Sequence, residues 1–163
     1  MDHAGAAAKI IRENRYLTLA TAGSDGPWAA PLAYTVEGHD LIFYSATSSR
    51  HCQHLNENPS GSISIFNSTE PSSVVDGVQA YVTVSIVGPS DLPAIMERYF
   101  INSFPNPEER KAWVRPASDF KGDAPQRFYR MALREINKPD PDSQKIDRRI
   151  QVDLERVKEL ISR

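Results

Sequence analysis

The chain has 163 residues, of which 40% are hydrophobic and 25% charged, and this composition predicts one folded domain with its own core. The net charge of -2 and the sequence pI near 6.1 argue against a nucleic-acid-binding surface, which usually carries a clustered basic excess. The lone Cys52 excludes an internal disulfide framework, and without a signal-like N-terminus or an apolar run of about 20 residues we expect a cytoplasmic protein that is not membrane-embedded.

The first part of the chain is predicted to form a helix followed by two strands. The Ala-rich residues 2–14 carry apolar side chains at helical spacing, which is typical of an amphipathic helix. Large and small residues alternate over Tyr16–Ala22, and after a Gly-rich turn the segment Pro27–Val36 has the same β character. Pro27 and Pro31 lack N–H donors, which favours an edge strand, a bulge, or a place where another group approaches the backbone.

The next segments are predicted to continue the sheet around one helix. A tight turn leads into a third strand over Asp40–Ser45, so we expect three neighbouring antiparallel strands, a meander. A helix is predicted from Ser48 to the residues before Pro59, because proline ends a helix. Alternation over Ser60–Asn67 predicts a fourth strand, and the β-branched and aromatic residues of Val78–Gly88 predict a fifth.

The remaining segments predict two helices, another strand and a short terminal extension. In chain order these are a helix over 92–100, a helix over 107–114, a strand over 127–136, a turn over 138–143, a strand within 145–154 and an amphipathic helix with Leu154, Val157, Leu160 and Ile161 on one face. Six or seven strands linked mostly by hairpins predict a mainly β protein of the α+β type. We expect a small antiparallel barrel with helices at its periphery.

One stretch, residues 41–55, has the composition of a phosphate-binding site. An apolar strand passes through a hydroxyl-rich turn directly into a helix, so hydroxyl donors, free backbone N–H groups and the positive end of a helix dipole meet at one point. Arg50 and His51 fall in the first helical turn, where a cation costs roughly 0.3–1 kcal/mol unless an anion lies beside it. Spacing alone leaves two interpretations open: a phosphate binds there, or Thr47 or Ser48 caps the helix and Arg50 points to solvent.

Five segments, in order along the chain, carry a resemblance to a known family. They are Leu17–Ala22, Gly26–Trp28, Pro31–Tyr34, Leu41–Ser45 and Ser49–Pro59. Together they make roughly residues 8–90 similar to the pyridoxamine 5'-phosphate oxidase-like family, the FMN-binding split barrels. The most specific part is the strand, turn and helix that ends in Leu-x-x-Asn-Pro at Pro59.

This resemblance implies a fold, a cofactor and an assembly. The expected fold is a six-stranded antiparallel split β-barrel with peripheral helices. It would form one FMN-binding domain over residues 1–163, with its core over about 8–136 and a C-terminal strand and helix extension over 137–163. The family forms homodimers that hold FMN in a groove at the subunit interface. We therefore expect a homodimer with FMN at its interface, a small-molecule substrate, and no nucleic-acid or membrane partner.

The resemblance also assigns six residues to cofactor binding, namely Tyr44, Ser45, Ser49, Arg50, His51 and Gln79. Ser49 and Arg50 match the family positions that hold the FMN phosphate. His51 stands where the family usually has a second basic residue, commonly lysine. As a neutral imidazole, His51 would offer the phosphate one hydrogen bond and no charge, so Arg50 would be the main cation of the site.

The other assigned residues are a strand end and a glutamine. Tyr44 and Ser45 match the family's strand end, which faces the flavin or its phosphate. Gln79 matches a glutamine that hydrogen-bonds the polar edge of the flavin. Plainer interpretations also fit: Gln79 as an ordinary exposed strand residue, and Tyr44, like Tyr34 and Trp28, as a core or interface aromatic.

Two departures separate this chain from the pyridoxamine phosphate oxidases proper. Those enzymes carry basic residues on the second strand, where this sequence has Ala29 and Tyr34. Their C-terminal Arg-x-His substrate motif aligns loosely with Gln144–Ile146, and only Arg148 beyond it is basic. The chain therefore resembles the broad family more than an enzyme that oxidises pyridoxamine phosphate.

The leading functional hypothesis is an FMN-dependent oxidoreductase that transfers hydride or electrons to a small molecule, with NADH or NADPH as a candidate electron donor. Backbone amides of Pro27–Tyr34 would fix the ring system. No catalytic acid or base is assigned, and no metal site is predicted, because His51 and His54 lack a carboxylate or cysteine at ligand spacing. The alternatives are a deazaflavin or haem in the same groove, and a flavin-binding protein without catalytic activity.

Overall fold

The computed structural model describes residues 2–71, 76–143 and 148–163, and its elements follow the predicted order. The strands in these residues are β1 (Tyr16–Gly23), β2 (Gly26–Ala33), β3 (Thr35–Glu37), β4 (Asp40–Ala46), β5 (Ser60–Phe66), β6 (Gly77–Ile86), β7 (Gln126–Pro139) and β8 (Arg149–Gln151). The α-helices are α1 (His3–Glu13), α2 (Arg50–Glu57), α3 (Leu92–Ser103), α4 (Pro107–Trp113) and α5 (Leu154–Ile161). A short 3-10 helix, Ala117–Phe120, precedes β7.

Neighbouring strands of the sheet are antiparallel and follow the order β2-β1-β5-β6-β7-β4-β3, with β8 beside β7. Although β2 and β3 lie at opposite ends of this order, only Tyr34 separates them in the chain. The two ends therefore meet, and the sheet curls into a split barrel. This confirms the predicted fold class. The described residues form eight strands where the sequence pattern predicted six or seven, because β3, a strand of three residues, is separate from β2.

The predicted meander is wrong, because β2 and β4 are not neighbours. β1 lies between β2 and β5, whereas β4 lies between β3 and β7. The reason is Tyr34, which divides the single strand predicted over Pro27–Val36. Its ring is buried, its hydroxyl donates to the carbonyl of Ile11 at 2.6 Å, and its N–H donates to the carbonyl of Arg15 at 3.1 Å. The chain thus leaves one edge of the sheet at Tyr34 and joins the other.

Side chains of β4 enter two separate hydrophobic clusters, because successive residues of a strand point to opposite faces. Leu41 and Phe43 belong to the cluster of the barrel interior, whereas Ile42 and Tyr44 pack beneath α3. Tyr99 and Phe100 of α3 pack against the rings of Tyr44, Phe120 and Phe128. We call these five rings the aromatic cluster. The two faces of β4 thus meet different surroundings.

The C-terminal elements extend the sheet and cover the barrel. β7 runs to Pro139, so Lys138, predicted to begin a turn, instead lies in the strand with its buried Nζ 3.0 Å from Asp76. The predicted terminal strand and helix are present as β8 and α5, while residues 145–147 of that prediction lie outside the described residues. α5 packs against α1. Within the part of the chain that the structure describes, no helix has the length and apolar character needed to cross a membrane.

Candidate functional site

The start of α2 is an open helix end. The helix begins at Arg50, with Ser49 in the N-cap position, so neither Thr47 nor Ser48 caps it. The Ser49 hydroxyl makes no cap either, since it donates to the carbonyl of Ala46 at 2.7 Å. The N–H groups of the first three helical residues, 50–52, have no hydrogen-bond partner among residues 2–71, 76–143 and 148–163. The positive end of the helix dipole is therefore available to an anion.

His51 lies behind two serine hydroxyls. Its Nε2 is 2.9 Å from Oγ of Ser45 and 3.2 Å from Oγ of Ser49, and the two hydroxyl oxygens are 3.4 Å apart. Burial, with a smaller contribution from His54, lowers the pKa of His51, so the ring is neutral at pH 7. With its proton on Nε2, the ring donates to the serine oxygens and leaves the Ser45 hydroxyl proton for another acceptor. In that tautomer His51 orients the two hydroxyls, and the direct hydrogen bond from His51 to phosphate stays a prediction.

Arg50 is held on one side by Asp25, at the tip of the β1–β2 hairpin. Its Nε lies 2.8 Å from Oδ2 of Asp25, and its Nη2 donates to the main-chain oxygen of Asp25 at 3.1 Å. The ring of Trp28 lies 4.7 Å from the guanidinium carbon. Nε is buried, and its N–H does not point well enough at Oδ2 to form a hydrogen bond, although the two atoms are close. Among the described residues, Nη1 has no partner. Arg50 is therefore not simply pointing to solvent, and part of its donor capacity is unused.

Asp25 is itself held by a buried histidine. His54 is 2% exposed, its Nε2 lies 2.5 Å from Oδ1 of Asp25, and its Nδ1 lies 3.1 Å from Oγ1 of Thr21. The hydrogen bond from His54, followed by the charge of Arg50, holds the pKa of Asp25 below its usual range. Ser24, which precedes Asp25 in the same turn, donates its N–H to Glu57 at 2.8 Å. Together these contacts fasten the hairpin tip to one face of α2.

The sequence analysis did not assign Asp25, Thr21 or the role of His54. Arg50 and His54 are four residues apart, which places both on one face of a helix, and this spacing could have indicated a shared anionic partner. The identity of that partner was hidden, because Asp25 precedes Arg50 by 25 residues and looks like an ordinary turn residue.

Tyr44 does not lie with Ser45, Ser49 and Arg50. It points to the other face of β4, where its ring centroid is 5.2 Å from that of Phe128, 5.4 Å from that of Phe120 and 5.5 Å from that of Tyr99. Aromatic pairs at these distances are typical of a packed core. In one copy of the chain, Tyr44 therefore supports the fold beneath α3 and does not face the open end of α2.

Gln79 also lies far from the start of α2. In the sheet, Ser45 pairs with Arg127 near the start of β7, whereas Gln79 pairs with Asn137 near its end. Ten residues of strand correspond to roughly 33 Å along the chain at about 3.3 Å per residue. The side chain of Gln79 is exposed and accepts a hydrogen bond from Nε of Arg149 at 3.1 Å. Gln79 and the start of α2 therefore lie at different levels of the sheet.

The outer edge of β2 has fewer N–H donors than an ordinary strand edge. Among the described strands β2 pairs with β1 alone, so of the three alternatives that Pro27 and Pro31 favoured, the structure has the edge strand. The N–H of Tyr34 bonds toward the β1 side, and directions alternate along a strand, so odd-numbered residues of β2 face the open edge. Two of these are prolines, and only Ala29 and Ala33 offer an N–H there. The backbone amides predicted to fix a flavin are reduced to these two.

The remaining candidates lie near the C-terminus. The predicted alignment of Gln144–Ile146 with a substrate motif lies outside the described residues, and Arg148 pairs with the buried Asp140 at 2.7 Å from Nε. In residues 2–71, 76–143 and 148–163, no three His, Cys, Asp or Glu side chains gather as a metal site would require.

The sequence and the fold both have known counterparts. A family model described as pyridoxamine 5'-phosphate oxidase matches residues 4–138. No curated protein matches the sequence.

Three solved structures illustrate the similarity in fold. A haem-binding protein from Mycobacterium smegmatis has a TM-score of 0.70 and 16% identity over 98% of this chain, which spans only 61% of that protein. A FAD-binding protein from Mesorhizobium loti has a TM-score of 0.64 and 16% identity over 82% of this chain and 91% of that protein. An F420 reductase has a TM-score of 0.57 and 16% identity over 80% of this chain and 94% of that protein. At such low identity these likenesses show the fold alone.

Proposed function

The chain belongs to the pyridoxamine 5'-phosphate oxidase family, and from that premise we propose that it binds FMN non-covalently at the start of α2 and serves as an oxidoreductase for a small molecule. The observation that carries this proposal is Arg50, a cation at the first residue of an uncapped helix. A cation there is unfavourable by itself, because it faces the positive end of the helix dipole. A phosphate beside it would reverse that effect.

The residues at this helix start fit a phosphate group. The Nη1 group of Arg50 has no partner among the described residues, and the backbone N–H groups of residues 50–52 are open there as well. The Ser45 hydroxyl lies 2.9 Å from Nε2 of His51, and in the tautomer with the ring proton on Nε2 its own proton is available to a phosphate. Phosphate oxygens are strong acceptors for all three kinds of donor.

Each part of the chain would have a separate task in the bound state. Bound FMN would supply hydride or electron transfer, chemistry that the side chains themselves lack. Arg50, Ser45 and the helix start would hold the phosphate, and the N–H groups of Ala29 and Ala33 would be available to the polar edge of the ring. No described residue is assigned as catalytic acid or base.

We also propose that two copies of the chain complete the site. Ser45, beside the start of α2, pairs near one end of β7 and Gln79 pairs near the other, which supports a site in which Arg50 and Gln79 of different copies contact one FMN. NADH or NADPH is the proposed electron donor. A non-catalytic flavin-binding protein is the competing proposal, and rapid reduction of bound flavin by either nucleotide with turnover of an acceptor would contradict it.

Oxidation of pyridoxamine phosphate itself is not favoured. Of the two second-strand positions that are basic in the oxidases proper, Ala29 has no charge and Tyr34 is buried with its hydroxyl bonded to Ile11. Neither residue can neutralise the phosphate of a substrate. The substrate we propose is therefore a small molecule of another kind.

A haem or deazaflavin in the same groove is the second proposal. The haem version is the weaker one for α2, because both ring nitrogens of His54 and the Nε2 of His51 already have partners. A deazaflavin cofactor carries a phosphate too, so the donors around Arg50 suit it as well. The visible spectrum distinguishes the three cofactors.

The experiment is to purify the full chain, record its visible spectrum before and after reconstitution with FMN, and measure FMN binding by calorimetry. We expect flavin absorbance bands, binding at one FMN per chain, and a dimer by light scattering. A protein that shows no flavin bands after reconstitution and no heat of binding would contradict the proposed function.

A further inference from the structure

We propose that Asp25 is a positioning residue for Arg50, so that the tip of the β1–β2 hairpin forms part of the phosphate site. This inference rests on the proposed function, because it assumes that the start of α2 receives the phosphate of FMN. The sequence pattern places Asp25 only in a Gly-rich turn, and the resemblance to the family assigns it no role.

The contacts of Asp25 occupy one edge of the guanidinium group. Oδ2 of Asp25 lies 2.8 Å from Nε, and its main-chain oxygen accepts from Nη2 at 3.1 Å. The ring of Trp28 covers one face of the group. The edge formed by Nη1 and the second hydrogen of Nη2 makes no contact with Asp25. Within the described residues, Nη1 has no partner. That edge has the forked geometry that binds a phosphate with two hydrogen bonds.

Asp25 is fixed from behind although its side chain is 56% exposed. The buried His54 holds Oδ1 and is itself seated on Thr21. The neighbouring Ser24 is bonded to Glu57 through its N–H and its hydroxyl. An arginine held in this way loses less side-chain freedom when a ligand binds, which increases affinity without adding a contact to the ligand.

The opposite role for Asp25 makes a different prediction. A carboxylate beside Arg50 could instead compete with the phosphate, since like charges repel. Removal of a competitor would strengthen FMN binding, whereas removal of a positioning residue weakens it. The sign of the change therefore decides between the two roles.

The experiment compares FMN with riboflavin, which lacks the phosphate, by calorimetry on the full-length chain. We expect Asp25→Ala to weaken FMN binding about tenfold and to change riboflavin binding by less than about twofold. Asp25→Asn keeps an oxygen that can accept from Arg50, and we expect it to restore most of the FMN affinity. In an Arg50→Ala background, Asp25→Ala should have no further effect, because the two residues act as one unit.

Glu108→Ala is the matched control, since Glu108 is 79% exposed and pairs with Lys111 on α4, away from α2. It should change neither affinity. Unfolding curves check that each variant folds, and Asp25→Glu, which displaces the carboxylate, gives the same test if Asp25→Ala does not fold.

The outcomes separate this inference from the proposed function. If the unmodified chain fails to bind FMN more tightly than riboflavin, the proposed phosphate site itself is wrong. If the unmodified chain prefers FMN, the positioning role alone is overturned by any of three results for Asp25→Ala: an unchanged preference for FMN, a larger preference, or an equal loss of affinity for FMN and riboflavin.

Discussion

Tyr44 and Ser45 are neighbours in the sequence, yet they serve two different regions of the molecule. Tyr44 enters the aromatic cluster beneath α3, whereas the Ser45 hydroxyl faces His51 at the start of α2. The pleat of β4 causes this separation, because successive side chains point to opposite faces. A family motif can therefore assign a stretch of strand to a ligand, but the pleat decides which of two neighbouring residues can reach it.

The two regions also differ in how their residues contribute. The aromatic cluster consists of apolar rings in edge-to-face and tilted contacts, so its substitutions should change the free energy of unfolding. The start of α2 contains open N–H groups and a cation with unused donors, so its substitutions should change ligand affinity. Substitutions in the two regions therefore distinguish residues that stabilise the fold from residues that bind the ligand.

The largest expected effect is on stability in the aromatic cluster. Tyr44→Ala removes a ring that contacts four others, and we expect it to lower the free energy of unfolding by about 3 kcal/mol in urea denaturation. Tyr44→Phe keeps the ring and should change neither stability nor FMN affinity by more than about 0.5 kcal/mol. A strong loss of FMN affinity in Tyr44→Phe with normal stability would show that Tyr44 contacts the cofactor.

The next effect is on binding at the start of α2. Arg50→Ala removes the cation proposed to hold the phosphate, and we expect FMN to bind about 30-fold more weakly, roughly 2 kcal/mol, with riboflavin unaffected. Calorimetry measures both ligands. Arg134→Ala is the control, because Arg134 is an exposed β7 residue bonded to Thr83. Equal losses in the two variants would mean that Arg50 contributes only general charge.

A smaller effect is expected for the neighbour of Tyr44. Ser45→Ala removes a hydroxyl that has a proton to donate, and we expect FMN affinity to fall about fivefold, near 1 kcal/mol. Ser48→Ala removes a hydroxyl from an exposed residue of the same turn and should have no effect on titrations with FMN. An unchanged affinity in Ser45→Ala would remove β4 from the proposed site.

The smallest effect is a pH dependence at His51. Burial lowers the pKa of His51 below its ordinary 6.5, so the unfolded chain binds more protons than the folded one as the pH falls through that value. The contribution of His51 should therefore lower stability below pH 6.5 and vanish above it. Asp25, whose pKa is lowered from 3.8, contributes stability that is constant above that pH and is lost only under more acidic conditions.

Urea midpoints at pH 5.5 and 7.5 measure this effect, with His51→Gln as the comparison. We expect the difference between the two pH values to be smaller in the variant. Identical differences would show that His51 titrates as an exposed histidine does, and that the serine hydroxyls are not held as described.

Local patterns predicted most of the elements because helices and strands depend on short-range periodicity. The start of α2 was predictable for the same reason: Ser45, Ser49, Arg50 and His51 lie within one strand-turn-helix segment, which brings them together in any fold that keeps it. The direction of His51 was not predictable. Its ring turns toward Ser45 because the β4 end and the first turn of α2 are packed together, which spacing alone does not reveal.

Contacts between distant segments of the chain explain the features of the fold and the site that were not predicted from the sequence. Asp25 meets Arg50 only because the β1–β2 hairpin folds onto α2, and Gln79 lies far from both because β7 separates their pairing positions. Tyr34 divides a predicted strand because its buried ring and hydroxyl fasten it to α1. None of these pairings leaves a periodic trace in the sequence.

The sequence by itself determined most of the elements in chain order and a helix that begins at Arg50 and His51. It narrowed the proline-bearing strand to an edge, a bulge or a place where another group approaches. These features depend on backbone sterics and periodicity, which act over a few residues. Only the tertiary structure decided which strands meet, which side of β4 faces a ligand, and which carboxylate holds Arg50. Those outcomes depend on how the sheet curls and packs, which is a property of the whole chain.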